Sequence, residues 1–291
     1  MTRSEVAAYL LRDEYSPSWR ALEELLPHLE GQRYTFLDPT KYAALLARDT
    51  AAGMAVYWRE LLYRAHWAAS TSLIRTHRWL AGLLDAFGAE NVIVFCACTR
   101  GLLEASADSW YILNAVAQTL ASAKSVIVKA LAERLNDSVL AEELENGLIH
   151  FTFARKAKKG EALGEHHEAQ TIAAYLTAFE KEQPSIRGFY AALCDVVHPG
   201  ARSILSFAKP LDANASSVML TQEGESRALA EFAVLFRAVL SDIMAAGFNT
   251  GMLILRTLNA LPATEVHTRF LESIPFKPLA AWDTIESILN A

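Results

Sequence analysis

Apolar residues recur along most of this chain at the spacing of an amphipathic α-helix, in which positions three and four apart share a face. The first stripe follows the helix-start signal Ser16-Pro17 and consists of Trp19, Leu22, Leu25, Leu26 and Leu29. Longer helices are predicted over 56–87, 91–107 and 225–261, with an extension of the second to residue 123, kinked near Asp108, as an alternative. Shorter helices are predicted over 125–135, 138–145, 168–181, 186–197, 264–272 and 281–289.

Other stretches depart from a continuous helix. Between Pro39 and Phe87 there is no further proline, and Gly53 interrupts the pattern, which predicts a bend or two abutting helices. Residues 148–153, LIHFTF, alternate in polarity and predict a short strand, while 203–208 and 217–221 predict a hairpin joined by 210–216. The sequence therefore predicts an all-α protein, a bundle of long helices with a small β-hairpin insertion around residues 203–221.

Composition agrees with a helical fold of substantial size. Of the 291 residues, 52% are hydrophobic, and only nine are proline and thirteen glycine, so helix breakers are few. There is no internal repeat of fixed period and no low-complexity tract, and no stretch is a convincing linker between domains. We therefore predict a single helical domain over 1–291, with a separate N-terminal helical subdomain over 1–50 as the alternative.

Charge and cysteine content limit the ligands and the cellular compartment that we expect for this protein. A formal net charge of −6 is unsuited to coating nucleic acid. The basic cluster Arg155, Lys156, Lys158 and Lys159 is interpreted as a solvated loop, with contact to phosphate as the alternative. Three cysteines, an odd number, fit reduced thiols in the cytosol. The uncharged stretches 109–123 and 243–255 fall short of the ~20 residues that span a bilayer. We expect a cytoplasmic protein without a signal peptide or membrane contact.

The helix over 91–113 carries the first candidate chemistry. It is apolar on most sides, yet it contains Arg100 and Glu104 one turn apart. Either they form a charged pair in a dry functional site, or they are structural ion pairs. Because arginine preceding glutamate is the less favourable order within a helix, partners on other helices are expected.

A second candidate lies on the predicted helix 186–197. Tyr190, Cys194 and His198 recur every four residues and share one face. His198 stands at the helix C-terminus, where the helix dipole favours the protonated imidazole. That predicts a donor or cation, although a histidine before Pro199 is also a common helix cap.

Metal and cofactor motifs are missing from the sequence. His166 and His167 have acidic neighbours, Glu165 and Glu168, but adjacent side chains diverge on a helix. Neither Glu-x-x-His nor His-Glu-x-x-His occurs, and there is no glycine-rich nucleotide loop or nucleophile elbow. We predict no metal and no cofactor.

Two short motifs carry a resemblance. The segment TRGLLE at 99–104 and the segment YAALCDVVHP at 190–199, with long helices before and between them, are similar to bacterial all-helical proteins distantly related to the HEPN superfamily. The resemblance implies a helical bundle, often paired through its helices. In some members it implies RNA cleavage or a role in phage defence and toxin systems.

The nuclease members of that superfamily carry an arginine followed after four to six residues by a histidine. Here Arg59 and His66 have this spacing, but Glu60 replaces the usual small polar residue and the pair precedes the central helix. Arg187 and His198 are too far apart. The catalytic roles are therefore not transferred.

These observations lead to one expectation and its rivals. We expect Arg100, Glu104, Tyr190 and His198 to converge on a site that binds a phosphate, nucleotide or RNA, with Arg100, Glu104 and His198 as candidates for catalysis. The alternative is a non-enzymatic interaction protein, a homodimer in which the same cluster fixes helix register. A helical small-molecule enzyme or metal protein is a third option. Whether the chain is an enzyme stays open.

Overall fold

The structure is a computed structural model of the chain and describes residues 1–212, 216–274 and 279–291. Helices dominate, which confirms the all-α prediction. The α-helices are α1 Arg3–Leu10, α2 Ser16–Leu29, α3 Pro39–Arg48, α4 Thr50–Gly88, α5 Val92–Leu113, α6 Val116–Ser122, α7 Lys124–Leu131, α8 Glu142–Phe153, α9 Ile172–Phe179, α10 Ile186–Val197, α11 Ala201–Leu205, α12 Glu223–Asn259 and α13 Ala280–Asn290. The strands are β1 Ala208–Pro210 and β2 Val218–Leu220, and 3₁₀ turns cover Thr264–Val266 and Arg269–Ser273.

The predicted hairpin is present, but its first strand starts later than expected. β1 and β2 pair antiparallel, with Lys209 opposite Met219. Most of the stretch 203–208, predicted as strand, belongs instead to α11 and the turn after it. The Ser203 hydroxyl accepts from the Gly200 N–H and donates to the Gly200 carbonyl, which closes a helical turn locally. Of the predicted connection 210–216, residues 213–215 lie outside the described chain.

The strand predicted over 148–153 is wrong, because these residues end α8. Leu144 and Leu148 are both buried and lie four residues apart, so packing selects the helical period over the alternating one. Thr152 donates its hydroxyl to the Leu148 carbonyl at 2.8 Å, and acidic residues fill the first turn. Tertiary burial therefore overrides a β-rich local sequence.

The predicted interruption near Gly53 is found at a different residue. α3 and α4 abut at Asp49, whose side chain accepts from the Ala52 N–H at 3.0 Å and starts α4. Gly53 continues the helix. A Cβ there would lie 2.7 Å from Leu46 Cδ1, so the glycine allows close packing rather than a bend.

The chain forms two compact units. The first contains residues 1–23, 74–108 and 171–248, and the second contains 24–73, 109–170 and 249–291. Helices α4, α5 and α12 contribute residues to both units. The single-domain interpretation and the N-terminal subdomain over 1–50 stay predictions.

The first unit has a tight crossing of α4, α5 and α12. A Cβ on Gly247 would lie 2.6 Å from Ser106 Oγ and 2.7 Å from Thr76 Oγ1, and both hydroxyl residues are fully buried. Neither hydroxyl has a hydrogen-bond partner in the part of the chain that the structure describes. The missing side chain of Gly247 therefore provides the space that lets α12 approach the other two helices.

Aromatic side chains fill the other end of this core. Phe95 of α5 contacts Phe232 of α12 with ring centroids 6.2 Å apart. Phe232 in turn lies 5.4 Å from Phe236, and Phe236 lies 4.7 Å from Phe189 of α10. Tilted aromatic pairs of this kind add to the stabilisation from burial, so they anchor α10 against α12.

The second unit is organised around a buried histidine. His66 is 2% exposed, its Nδ1 lies 2.7 Å from the Tyr34 hydroxyl, and its Nε2 lies 3.2 Å from Thr268 Oγ1. Asn259 holds Thr268 in place, because its amide donates to the Thr268 carbonyl and accepts from the Thr268 N–H. Burial lowers the pKa of His66 to about 4.

The apolar character of α5 is explained by burial: Cys96, Leu102, Leu103 and Ala107 have no exposed surface. Across residues 1–212, 216–274 and 279–291, no single helix combines the length and apolar composition that crossing a membrane requires. The segments 92–122 and 124–131 meet that requirement only when they are joined across a bend.

We expect Gly247→Ala to lower the free energy of unfolding by about 1–3 kcal/mol, because the new methyl group meets two buried hydroxyls. Gly188→Ala is the matched control, since a Cβ at Gly188 in α10 has nothing within 4 Å. That change should stabilise the helix by about 0.5–1 kcal/mol. Urea denaturation measures both, and equal effects would contradict the close crossing.

We expect acid to destabilise the chain through His66. Its pKa is 6.5 in the unfolded state and about 4 in the folded state, so the unfolded state binds the extra proton. The stability contribution is fully present above pH 6.5 and falls by about 3 kcal/mol as the pH drops towards 4. Urea midpoints between pH 4 and 7 measure the slope. His66→Asn cannot titrate and should flatten it, whereas an unchanged slope would rule out this origin.

Candidate functional site

Two helices of the first unit present the four predicted site residues. α5 carries Arg100 and Glu104, and α10 carries Tyr190. His198 follows the last residue of α10, in an extended conformation with φ −81° and ψ 151°, and its N–H donates to the Cys194 carbonyl. The helix ends there because the next residue is Pro199.

The four side chains meet in one hydrogen-bonded group, here called the Arg100 cluster. Arg100 Nε donates to Glu104 Oε1 at 2.8 Å, and Arg100 Nη1 lies 3.1 Å from His198 Nε2. The Tyr190 hydroxyl donates to the same Glu104 oxygen at 3.1 Å. The Arg100 guanidinium also lies over the Tyr190 ring, 5.3 Å from its centroid.

Sequence reasoning missed the residue that packs beside this cluster, Trp79 of α4. Its indole ring lies against Gly101, where a Cβ would be 2.7 Å from two ring atoms. Glycine after Arg100 is therefore required for Trp79 to pack against the backbone of α5. The sequence contained one indication of this contact, the glycine of TRGLLE, but Trp79 is too distant in sequence to be recognised as its partner.

The cluster is less buried than the sequence suggested. The Arg100 side chain is 26% exposed, the Glu104 side chain is 38% exposed, and His198 is exposed. The expectation of a dry site is therefore wrong. Water screens these charges, so the ion pair holds geometry more than it adds stability.

The contact between Arg100 and His198 defines the state of the imidazole. A guanidinium only donates hydrogen bonds, so Nε2 of His198 must accept. The imidazole is then neutral and carries its proton on Nδ1. A protonated imidazole, which the sequence favoured, would carry a second donor at Nε2 and could not form this contact.

Tyr190 and Arg100 have displaced pKa values. Burial, reinforced by the nearby Glu104 carboxylate, raises the pKa of Tyr190 to about 12, so this side chain remains a neutral hydrogen-bond donor. For Arg100, burial alone would lower the pKa, but Glu104 and its other neighbours outweigh it and raise the pKa further. Arg100 is thus a permanent cation.

His198 opens onto a cavity of about 370 Å³, here called the His198 cavity. It is formed by Cys194, Asp195, His198, Pro199, Gly200, Ala201 and Arg202. Among the cluster residues only His198 lines it. The side chains of Asp195 and Arg202 form no hydrogen bond or ion pair with any residue that the structure describes. The cavity therefore offers one imidazole, one carboxylate and one guanidinium to a ligand.

The other residues considered from sequence do not form a second site of this kind. Arg59 pairs with Glu265 at 3.5 Å while His66 is buried. Within the described ranges, no three histidine, cysteine or acidic side chains are grouped to hold a metal ion. Burial raises the pKa of the Cys96 thiol to about 12, which makes it unreactive.

Comparison with known proteins finds no match among protein-family models, curated proteins or solved structures. The resemblance to the HEPN superfamily therefore depends on residues 99–104 and 190–199 alone and stays a prediction. The arrangement of side chains in the first unit is what remains to indicate a function.

We expect ¹⁵N NMR at neutral pH to show His198 as a neutral imidazole protonated on Nδ1, because Arg100 donates to Nε2. Arg100→Leu removes that donor, so the preference for the Nδ1-protonated tautomer should be lost. Arg20→Leu, at another exposed arginine of the first unit, is the control and should leave the signal unchanged. A proton on Nε2 in the unaltered chain would disprove the contact.

Proposed function

We propose that this chain is a cytoplasmic, HEPN-like helical-bundle protein that binds a phosphate-bearing ligand, a nucleotide or RNA, in the His198 cavity. The observation that supports it most directly is that an oriented, neutral His198 lines one cavity together with Arg202, whose guanidinium has no partner among the residues that the structure describes. Guanidinium groups bind phosphate oxygens through paired, charge-assisted hydrogen bonds. The Nδ1–H of His198 adds a neutral donor.

Asp195 favours a nucleotide or RNA over inorganic phosphate. Its carboxylate lines the same cavity and only accepts hydrogen bonds. It would repel a bare phosphate, but it suits a ribose hydroxyl or a base amino group. A ligand that carries both a phosphate and such donors therefore matches the cavity best.

In this proposal Arg100 is a positioning residue. Its guanidinium is held by Glu104 and Tyr190, and it keeps His198 in one tautomer. The lone pair on Nε2 is occupied by that hydrogen bond, so His198 is not free to remove a proton from a substrate. The geometry thus favours binding over general-base catalysis.

The alternative is an interaction protein in which the Arg100 cluster fixes the register of α5 and α10. One observation favours it: two hydrogen bonds, Arg100 to His198 and Tyr190 to Glu104, join α5 to α10 and the residue that follows it, as a structural clamp requires. Exposed apolar side chains nearby in sequence would then be covered by a second copy of the chain, among them Ile204, Leu205, Leu220 and Leu235.

Binding of ADP and of a single-stranded RNA oligonucleotide, measured by fluorescence anisotropy over a salt series, tests the proposal. We expect Arg202→Gln to weaken binding about tenfold and to reduce the salt slope by about one. His198→Ala should abolish specific binding with little change in melting temperature. Arg20→Gln, which removes the same charge elsewhere, should change little.

The clamp alternative predicts the opposite for His198→Ala: a lower melting temperature and no binding to lose. Failure of the unaltered chain to bind either ligand would refute the proposed function. If Arg20→Gln and Arg202→Gln weaken binding equally, the attraction is general charge rather than this cavity.

A further inference from the structure

The first unit contains a second and larger cavity, of about 530 Å³, which the proposed function does not use. We call it the α12 cavity, because residues 224–236 of α12 supply most of its lining. Its volume falls within the range of sites that hold small molecules. Two chemically different regions line it: an apolar floor and a charged rim.

The floor is apolar and already in place. Phe232 and Phe236 line it, and their rings are held by each other and by Phe95 and Phe189. A floor built from aromatic rings that pack in the core needs little rearrangement to accept a ligand.

Two leucines extend this apolar surface to the opening. Leu205 is 59% exposed and Leu235 is 70% exposed, and both line the cavity. Each exposes a large apolar surface to water next to an apolar hollow. Covering them with a hydrocarbon chain would remove that surface from water, which is favourable by roughly 25 cal/mol per Å² of apolar area.

The rim carries more positive than negative charge. Arg202 and Arg227 line the cavity, and neither guanidinium has a hydrogen bond or ion pair with the residues that the structure describes. Glu231 also lines it, one helical turn after Arg227, but no ion pair joins the two. The two arginines and Glu231 give this rim a net positive charge, although the chain as a whole carries −6.

We propose that the α12 cavity binds an amphipathic carboxylate, a molecule of the fatty-acid type. The hydrocarbon chain would lie against Phe232, Phe236 and the exposed leucines. The carboxylate would be bound by Arg202 and Arg227, whose donors suit its two oxygens. Glu231 repels a doubly charged phosphate more strongly than a single negative charge, so a monoanionic head group fits the rim better.

This inference is separable from the proposed function. Arg202 lines both cavities, whereas Arg227 lines only the α12 cavity and His198 lines only the other. Arg227 and His198 therefore report on one cavity each.

Isothermal titration of the full chain with dodecanoate, below the concentration at which it forms micelles, tests the inference. We expect saturable binding of one dodecanoate per chain. Dodecyltrimethylammonium, with the same hydrocarbon chain and a positive head group, should bind at least tenfold more weakly. Acetate, which has only the head group, should not bind measurably.

Variants locate the site. Arg227→Gln should weaken dodecanoate binding about tenfold and leave ADP binding unchanged. Ala228→Phe, which fills the cavity without removing an arginine, should abolish dodecanoate binding. His198→Ala and Arg20→Gln should leave it unchanged. Melting temperatures confirm that each variant is folded, and Arg227→Gln, an exposed position, is the variant least able to disturb the fold.

Three results would overturn the inference: no saturable binding of dodecanoate, equal binding of the cationic analogue, or unchanged binding by Arg227→Gln. A stable dimer that shields the α12 cavity would also overturn it in favour of a second copy as the occupant. Loss of ADP binding with intact dodecanoate binding would refute only the proposed function, and the reverse result would refute only this inference.

Discussion

The candidate site depends on one guanidinium that joins two helices of the first unit. Arg100 donates to Glu104 one turn along α5 and to His198, which lies 98 residues further along the chain. Because a guanidinium has donors but no acceptors, it dictates the state of each partner. The imidazole must be neutral, and its remaining N–H becomes a donor. The chemistry available at the cavity is therefore hydrogen-bond donation rather than proton abstraction.

Two glycines within helices allow the close packing of the first unit, although neither forms a turn. Gly101 lets Trp79 lie against α5, and Gly247 lets α12 approach two buried hydroxyls. Each costs helix stability relative to alanine, by about 0.5–1 kcal/mol. In exchange for this loss, each glycine allows close packing between helices that are distant in sequence. In a sequence such glycines resemble weak points of a helix, and only the partner atoms reveal why they are there.

Features that neighbouring residues determine, such as the ends of a helix, were predicted correctly from the sequence. α10 was predicted with its observed bounds, 186–197, because a Pro-Ser pair before it and Pro199 after it restrict the backbone. The strand predicted over 148–153 failed, because burial of Leu144 and Leu148 selects the helical period. The contact between Arg100 and His198 could be predicted, because a charged side chain in an apolar helix requires a partner. The solvent exposure of the Arg100 cluster could not be predicted, because it depends on which surfaces the complete fold leaves uncovered.

Arg100 and Arg202, both in the first unit, have different roles: Arg100 positions other side chains, whereas Arg202 is available to a ligand. Two donors of Arg100 are directed to protein partners, so this residue orients its neighbours, and it does not line the His198 cavity. Arg202 has no such partners among the described residues and lines both cavities. A hydrogen-bonded cluster therefore does not argue against a binding site. The cluster holds the His198 imidazole in a fixed orientation, so that His198 and Arg202 can bind an anion together.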